Sequence, residues 1–403
     1  QRVRHRREAS HRPARAGRGV IYFDYNATTP LRPQVAKLLA RAFAEPATGN
    51  SSSVHGAGRQ ARARVDAARA RVAQALGCEV REVCFTASGS EADAMALKGA
   101  FANRADRART RIVSSRIEHP AILGTLEQLQ AQGAQLTLLD PQANGRVPVD
   151  ALLDSLKPDV ALCSLMWANN ETGVIQPVAE AAQACRERGI AFHTDAVQAT
   201  GKVPVGRAVL DPDLLSLSAH KFGGPAGVGA LIVRRGMDLD ALTPGHQEWG
   251  RRGGTHNVPY LESLALALSL ATEGLPTEGP RIEALRDRLE REALARVPDT
   301  SVNGAGAPRV PNTANLRFEG ADGEALLIAL DLDGMCASAG AACASGSLKP
   351  SHVLTAMGLS STQAHGSLRF SLGPETQESD VDRLIEALVV HVPRAREAAR
   401  RGA

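Results

Sequence analysis

From residue 82 to residue 235 the chain alternates short apolar runs with stretches of helical period. EVCFT (82–86) leads into a helical pattern from Glu91 with Leu97 on its apolar face. RIVSS (111–115) is followed by Pro120 and an amphipathic run to Gln130. VALCSLMW (160–167), GIAFHTD (189–195), LLSLSAH (214–220) and GALIVRR (229–235) continue the series. Apolar runs joined by crossover helices predict an α/β unit whose sheet is mainly parallel and buried on both faces. Ligands of such sheets sit beyond the carboxyl ends of the strands, so the residues that follow each run carry the interest.

After Tyr260 the pattern changes. A Leu/Ala-rich helix over 258–274 runs into a Gly/Pro stretch, read as a linker, and a charged helix from Arg281. TANLRFEG, ALLIALDLDG and SLRFSLG then predict a smaller α+β unit. The expected division is a large domain over 31–277 and a small one over 278–403, the latter joined by the N-terminal stretch IYFDYNATTP (21–30).

At 403 residues the chain suits two domains. Aromatic residues are only 3%, so the core rests on Ala, Val and Leu, and stacking platforms for nucleic acid are not expected. The formal charge of +4 is concentrated in residues 1–20, which hold seven Arg and one Glu; the remainder is slightly acidic. That basic arm predicts disorder. No apolar run approaches the length of a membrane span, so no membrane partner is expected. The six cysteines show neither CxxC pairing nor metal-ligand spacing, which points to no metal site and to a reducing, cytoplasmic setting. Cys84, Cys163 and Cys185 lie in apolar patterns and read as buried hydrophobes.

Candidate chemistry begins with lysine, of which the chain has six against 41 arginines. Lys221 follows an apolar run in SAHKFGGPAGVGAL, where glycines permit close backbone approach to a ligand. Arginine cannot replace lysine where an amine must lose its proton and attack a carbonyl; a structural lysine beside a glycine turn fits the segment equally well. Asp195 ends GIAFHTD, at the sheet's carboxyl edge. Alone it suits a helix cap; paired with Lys221 it suits pyridoxal phosphate, which needs an amine for its aldehyde and a carboxylate for its ring nitrogen. TASGSE (86–91), between strand and helix, offers backbone N–H groups and the Ser90 hydroxyl to a phosphate. His119 in SSRIEHP, Asn170 in WANNETG and Gln198 in TDAVQATGK complete a polar set at strand ends.

In order along the chain, GNSSSVHGAGR, FTASGSEAD, EHPA, MWANNETGVIQP, HTDAVQATGK, SLSAHKFGGPAGVGAL, GRRGGTHNV, SAGAACASGSLKPSHVL and GSLRFSLG resemble the motifs of the cysteine desulfurases. These belong to the class V aminotransferase group of fold-type I pyridoxal-phosphate enzymes, and the resemblance is to the branch serving iron–sulfur cluster assembly. It spans residues 21–390 and implies a seven-stranded, mainly parallel sheet. It implies that Lys221 holds the cofactor and later moves protons, that Asp195 faces the ring nitrogen, and that Gln198, with Asn170, faces the ring hydroxyl. His119 would stack on the ring, and the phosphate would sit on Gly89, Ser90, Ser218 and His220. Thr255 would reach the other subunit's phosphate, which makes the enzyme a homodimer. Arg369 would hold the carboxylate of L-cysteine, with Asn26 near the substrate. GRRGGTHN departs from the pattern in carrying His256 where an acidic residue is frequent.

The resemblance also assigns Cys343 the role of the thiol that takes up sulfur, for delivery to an acceptor such as an iron–sulfur scaffold or a tRNA-thiolation partner. The small residues of SAGAACASGS, with Gly340 and Gly346 as hinges, predict a segment that opens at little cost. Cys336, in an apolar setting, reads as a core residue. Two readings compete: another pyridoxal-phosphate enzyme of this fold, such as a selenocysteine lyase or an aminotransferase, for which Cys343 matters less; and a non-catalytic sulfur-transfer scaffold, which should have lost Lys221 or Asp195.

Overall fold

The structure is a computed structural model that describes residues 19–44, 49–339 and 350–402. Residues 1–18 of the basic arm and Cys343 fall outside these residues. The chain opens with strand β1 (Ile21–Tyr22) and helices α1 (Pro33–Ala44) and α2 (Gly56–Leu76). The alternating region follows as β2 (Val83–Thr86), α3 (Gly89–Ala102), β3 (Arg111–Ser115), α4 (Pro120–Ala131), β4 (Gln135–Leu139) and α5 (Val149–Ser155). It continues with β5 (Val160–Ser164), α6 (Val178–Glu187), β6 (Ala191–Asp195), β7 (Leu214–Ser218) and β8 (Gly229–Val233).

These seven strands form one sheet in the order β2-β8-β7-β6-β5-β3-β4. All run parallel except β8, which is antiparallel to both its neighbours. Strands β2, β5, β7 and β8 are buried at every position, as the unbroken apolar runs require. Strand β4 carries the half-exposed sequence QLTLL at the sheet edge and lacks that signature. Helices cover both faces. Val65, Val72, Leu264 and Leu268 pack in one core, and Met95, Leu97, Leu126 and Leu129 in the other.

Helix α7 (Val258–Arg296) corrects the expected linker. It is continuous through Pro276 and Pro280, both exposed. Its first half, to Ala271, packs on the large sheet; its second half, from Ile282, packs in a separate core. Burial at both ends holds the helix across residues whose local preference is to stop it.

The second core is enclosed by β9 (Thr300–Val302), β10 (Thr313–Phe318), α8 (Gly323–Leu332), β11 (Met335–Cys336), β12 (Ser367–Ser371) and α11 (Glu378–Gly402), while α9 (His352–Ala356) and α10 (Ser361–His365) pack in a small separate cluster with Ile117 and Met166. Strands β12-β10-β9 form an antiparallel sheet, while β1 pairs in parallel with β11. Phe23 and Phe370 meet edge to face within this core, so the chain's beginning is built into its C-terminal part. Cys84, Cys163 and Cys185 are buried. Among the described residues no helix is long and apolar enough to cross a membrane, and no group of His, Cys, Asp and Glu has the arrangement of a metal site.

Candidate active site

The carboxyl ends of β2, β3, β5, β6 and β7 open into a cavity of about 620 Å³. Asn26, Gly89, Ser90, His119, Asn170, Asp195, Gln198, Ser218, His220, Lys221 and Arg369 all line it. Thr255 does not; it is exposed on the loop before α7. Residues read from seven scattered segments therefore share one space, and Thr255 stands apart from it.

Lys221 closes a short turn after β7 and points its Nζ at the main-chain oxygens of Asn26 (2.7 Å) and Ala27 (2.8 Å). Burial, then the Arg369 charge, lowers its pKa to about 8, against the pull of Asp195 and Asp24. A lysine so placed gives up its proton more readily than an exposed one.

Asp195 is the last residue of β6 and accepts the Val197 N–H at 2.8 Å. Asp93, on α3, lines the same cavity, is buried, and leaves Oδ1 without a hydrogen bond, 3.7 Å from His193 Nε2. Burial raises both carboxyls, and Asp195 adds to the rise at Asp93, which is the stronger of the two. Like charges in one dry site do not both ionise. Of the two, Asp93 is pushed further toward its protonated form. Neighbouring His193 lies between the hydroxyls of Ser164 and Ser216, each 2.9 Å away; burial holds its pKa near 3, so it stays neutral.

The anion cradle is the N-terminus of α3. Ser88 is the N-cap and accepts the Glu91 N–H at 3.0 Å. A Cβ on Gly89 would stand 2.9 Å from Val197 Cγ2 and 3.1 Å from Ser218 Cβ, so only glycine lets the helix start approach β7. Ser90 and Ser218 flank that start. His220 is tied by Nδ1 to Thr28 Oγ1 at 3.0 Å and held neutral, near pKa 4, by burial and then by Lys221.

His119 caps α4, its Nδ1 accepting the Ala121 N–H at 3.1 Å. That bond places the ring's proton on Nε2 when the imidazole is neutral, and burial lowers its pKa. The preceding residue, Glu118, is buried and accepts from Ser115 Oγ (2.6 Å) and the Met166 N–H (3.1 Å). Burial raises its pKa to about 8.

On the opposite wall Arg369, from β12, donates Nη1 to the Asn170 carbonyl (3.0 Å) and Nη2 to Asp24 (2.6 Å). Its Nε is buried with no partner, a vacant donor for a carboxylate. Asn26 is a buried hub: its Nδ2 donates to the Asn170 carbonyl and Thr313, and its Oδ1 accepts from Asn312 and Lys202. The departure at His256 also has a structural answer. Its Nε2 lies 2.7 Å from Glu248, which Arg69 grips through both terminal nitrogens at 2.6 and 2.7 Å. An acid is present at this loop, but Glu248 supplies it. Despite desolvation, those two donors hold its pKa down to about 2.

Lys202, Asp93, Glu118 and His352 are the residues of this site that sequence reasoning missed. Lys202 was the one legible signal, as one of only six lysines, four residues after Gln198.

An amine beside a carboxylate, a helix N-terminus cleared for an anion and an orphaned guanidinium edge fit pyridoxal phosphate carrying an amino acid. A family model described as aminotransferase class-V matches residues 21–384. The cysteine desulfurase of Trichormus azollae is 44% identical over 378 residues, 94% of either chain. The cysteine desulfurase IscS of Clostridium botulinum (strain Hall / ATCC 3502 / NCTC 13319 / Type A) is 42% identical over 381 residues, 94% of this chain and 95% of its own. Among solved structures, a NifS-like protein matches with a TM-score of 0.85 at 32% identity, over 93% of this chain and 100% of that one. The chain belongs to the aminotransferase class-V family, and within it to the cysteine desulfurases.

Proposed function

We propose that the protein uses pyridoxal phosphate to take sulfur from L-cysteine, releasing L-alanine and leaving a persulfide on Cys343. The sulfur then passes to an acceptor protein for iron–sulfur cluster assembly or tRNA thiolation. The setting is the cytoplasm, where thiols stay reduced. The observation that carries this reading is convergence: Lys221, Asp195, Arg369 and the α3 N-terminus face one cavity, and Ser338 and His352, on either side of segment 340–349, line it too. Cys343 is five residues from Ser338, which limits its distance from that rim to about 17 Å.

When bound, the cofactor supplies an aldehyde that condenses with amines and a ring that accepts electron density from bonds next to the amine. Lys221 is the amine that holds it and, once displaced, carries a proton at the substrate Cα. Asp195 faces the ring nitrogen, while Gln198 and Asn170 face the ring hydroxyl. Gly89, Ser90, Ser218 and His220 cradle the phosphate, joined by Thr255 of a second copy. Arg369 takes the substrate carboxylate on its free Nε edge, with Asp24 and the Asn170 carbonyl fixing the guanidinium plane. His119, its Nδ1 occupied by the Ala121 N–H, offers its Nε2–H to the substrate sulfur as a donor. In the sulfur-transfer step the Cys343 thiolate forms an S–S bond as the substrate's C–S bond breaks, and that electron pair with a proton completes alanine's methyl group.

Purified protein given L-cysteine and a reductant should yield alanine and sulfide in equal amounts. Lys221→Ala should abolish both, and Cys343→Ala should reduce both at least about 100-fold, the loss expected of a missing nucleophile. Full desulfuration by Cys343→Ala would overturn the persulfide step.

A further inference from the structure

Lys202 is buried at the turn after β6, and none of the steps above uses it. Its Nζ donates to Asn26 Oδ1 at 2.9 Å and to Gln198 Oε1. Gln198 in turn donates Nε2 to the main-chain carbonyl of Asn26 at 3.0 Å, and Asn26 donates Nδ2 to the carbonyl of Asn170 at 3.1 Å. A carbonyl only accepts, so each carboxamide has one permitted orientation, nitrogen toward the carbonyl and oxygen toward Lys202. Rotating Gln198 by half a turn would set two acceptors face to face at Asn26 and two N–H groups face to face at Lys202.

Gln198 Nε2 carries two hydrogens. Asn26 takes one, and Gln198 lines the cavity. We propose that Lys202 is a positioning residue: by engaging Gln198 Oε1 it obliges Gln198 to present an N–H to the cavity, and so to bind an anionic oxygen there. The inference rests on the reading that Gln198 faces the cofactor's ring oxygen. Lysine suits the task because burial, with Lys221 and Arg369 nearby, pushes its pKa well down. Its Nζ has an N–H group for each amide oxygen.

A hydrogen bond donated to the ring oxygen draws charge from it and lowers the proton affinity of the adjacent lysine-linked nitrogen. The test is the pH midpoint of the visible absorbance band of the holoenzyme, without substrate, in wild type, Lys202→Met, Gln198→Ala and the double variant. Gln198→Ala should raise the midpoint by about one pH unit, the worth of one hydrogen bond to a charged group. Lys202→Met should raise it in the same direction, and the double variant should match Gln198→Ala alone. Lys202→Gln, one bond shorter than lysine, provides the same comparison where the Met variant does not fold. An unmoved midpoint in the Lys202 variants, with Gln198→Ala shifted, overturns the inference. So does a Lys202 effect that persists undiminished without Gln198. If Gln198→Ala itself shifts nothing, Gln198 does not face the ring oxygen, and the reading beneath the inference fails first.

Discussion

Glu118 sits immediately before the histidine of the site, buried and satisfied by one hydroxyl and one backbone N–H. Its folded pKa of about 8 lies above the 4.5 of an exposed glutamate, so the folded chain keeps a proton that the unfolded chain has released. Between these values stability should fall as pH rises, by up to about 1.4 kcal/mol for each unit. Glu118→Gln, neutral at every pH, should flatten that slope and be more stable than wild type at about pH 9 and similar at about pH 4. Urea denaturation at the two pH values reads this directly. The residue scale is also where the sequence divides most sharply into the legible and the illegible. Asp195 and Ser218 could be found because each ends an apolar run, and a run's end is a place in the fold. Asp93 could not, since it lies inside a helix whose pattern says only that a buried face exists. Asn26 was noticed, but its partners lie 144 to 287 residues away, and only the packed chain says that its carboxamide is spent on them.

At the scale of elements, α7 is the instructive misreading. Gly274, Pro276, Gly279 and Pro280 carry the composition of a linker, yet the helix passes through them because both of its halves are buried in separate cores. Propensity is worth a few kcal/mol, and burial of two apolar faces outweighs it. Pro276→Ala restores an N–H opposite the Thr272 carbonyl at an exposed site. It should stabilise the protein by about 2 kcal/mol, the helix-interior cost of proline less the unfolded-state entropy it removes. Thermal unfolding tests this, and a fall in the midpoint would overturn it. Strand β4 escaped notice for the converse reason. An edge strand, half exposed, lacks the continuous apolar run that marked its neighbours.

The whole molecule draws its site from both units: Asp195, Lys221 and the α3 cradle from the large sheet, Arg369 and Asp24 from the small one. If Thr255 completes the cradle of a second copy, neither copy is self-sufficient. Mixed dimers of Lys221→Ala and Thr255→Ala chains then contain one wholly intact site and one that lacks both groups. They should regain about half of the wild-type turnover per dimer, although each variant alone is impaired. Turnover no higher than the mean of the two parents would count against sharing. The resemblance alone suggests this arrangement and no local pattern does, because an exposed threonine on a loop looks like any other.

The two cavity-lining residues that flank segment 340–349 have a kinetic consequence. On the proposed reading, the accepting thiol is tied to the rim of its own reaction site at Ser338 and at His352. Short tethers of this kind give effective concentrations in the millimolar range. The enzyme then outcompetes dissolved thiols not by reactivity but by address, and sulfur stays on the protein unless a partner is brought equally near.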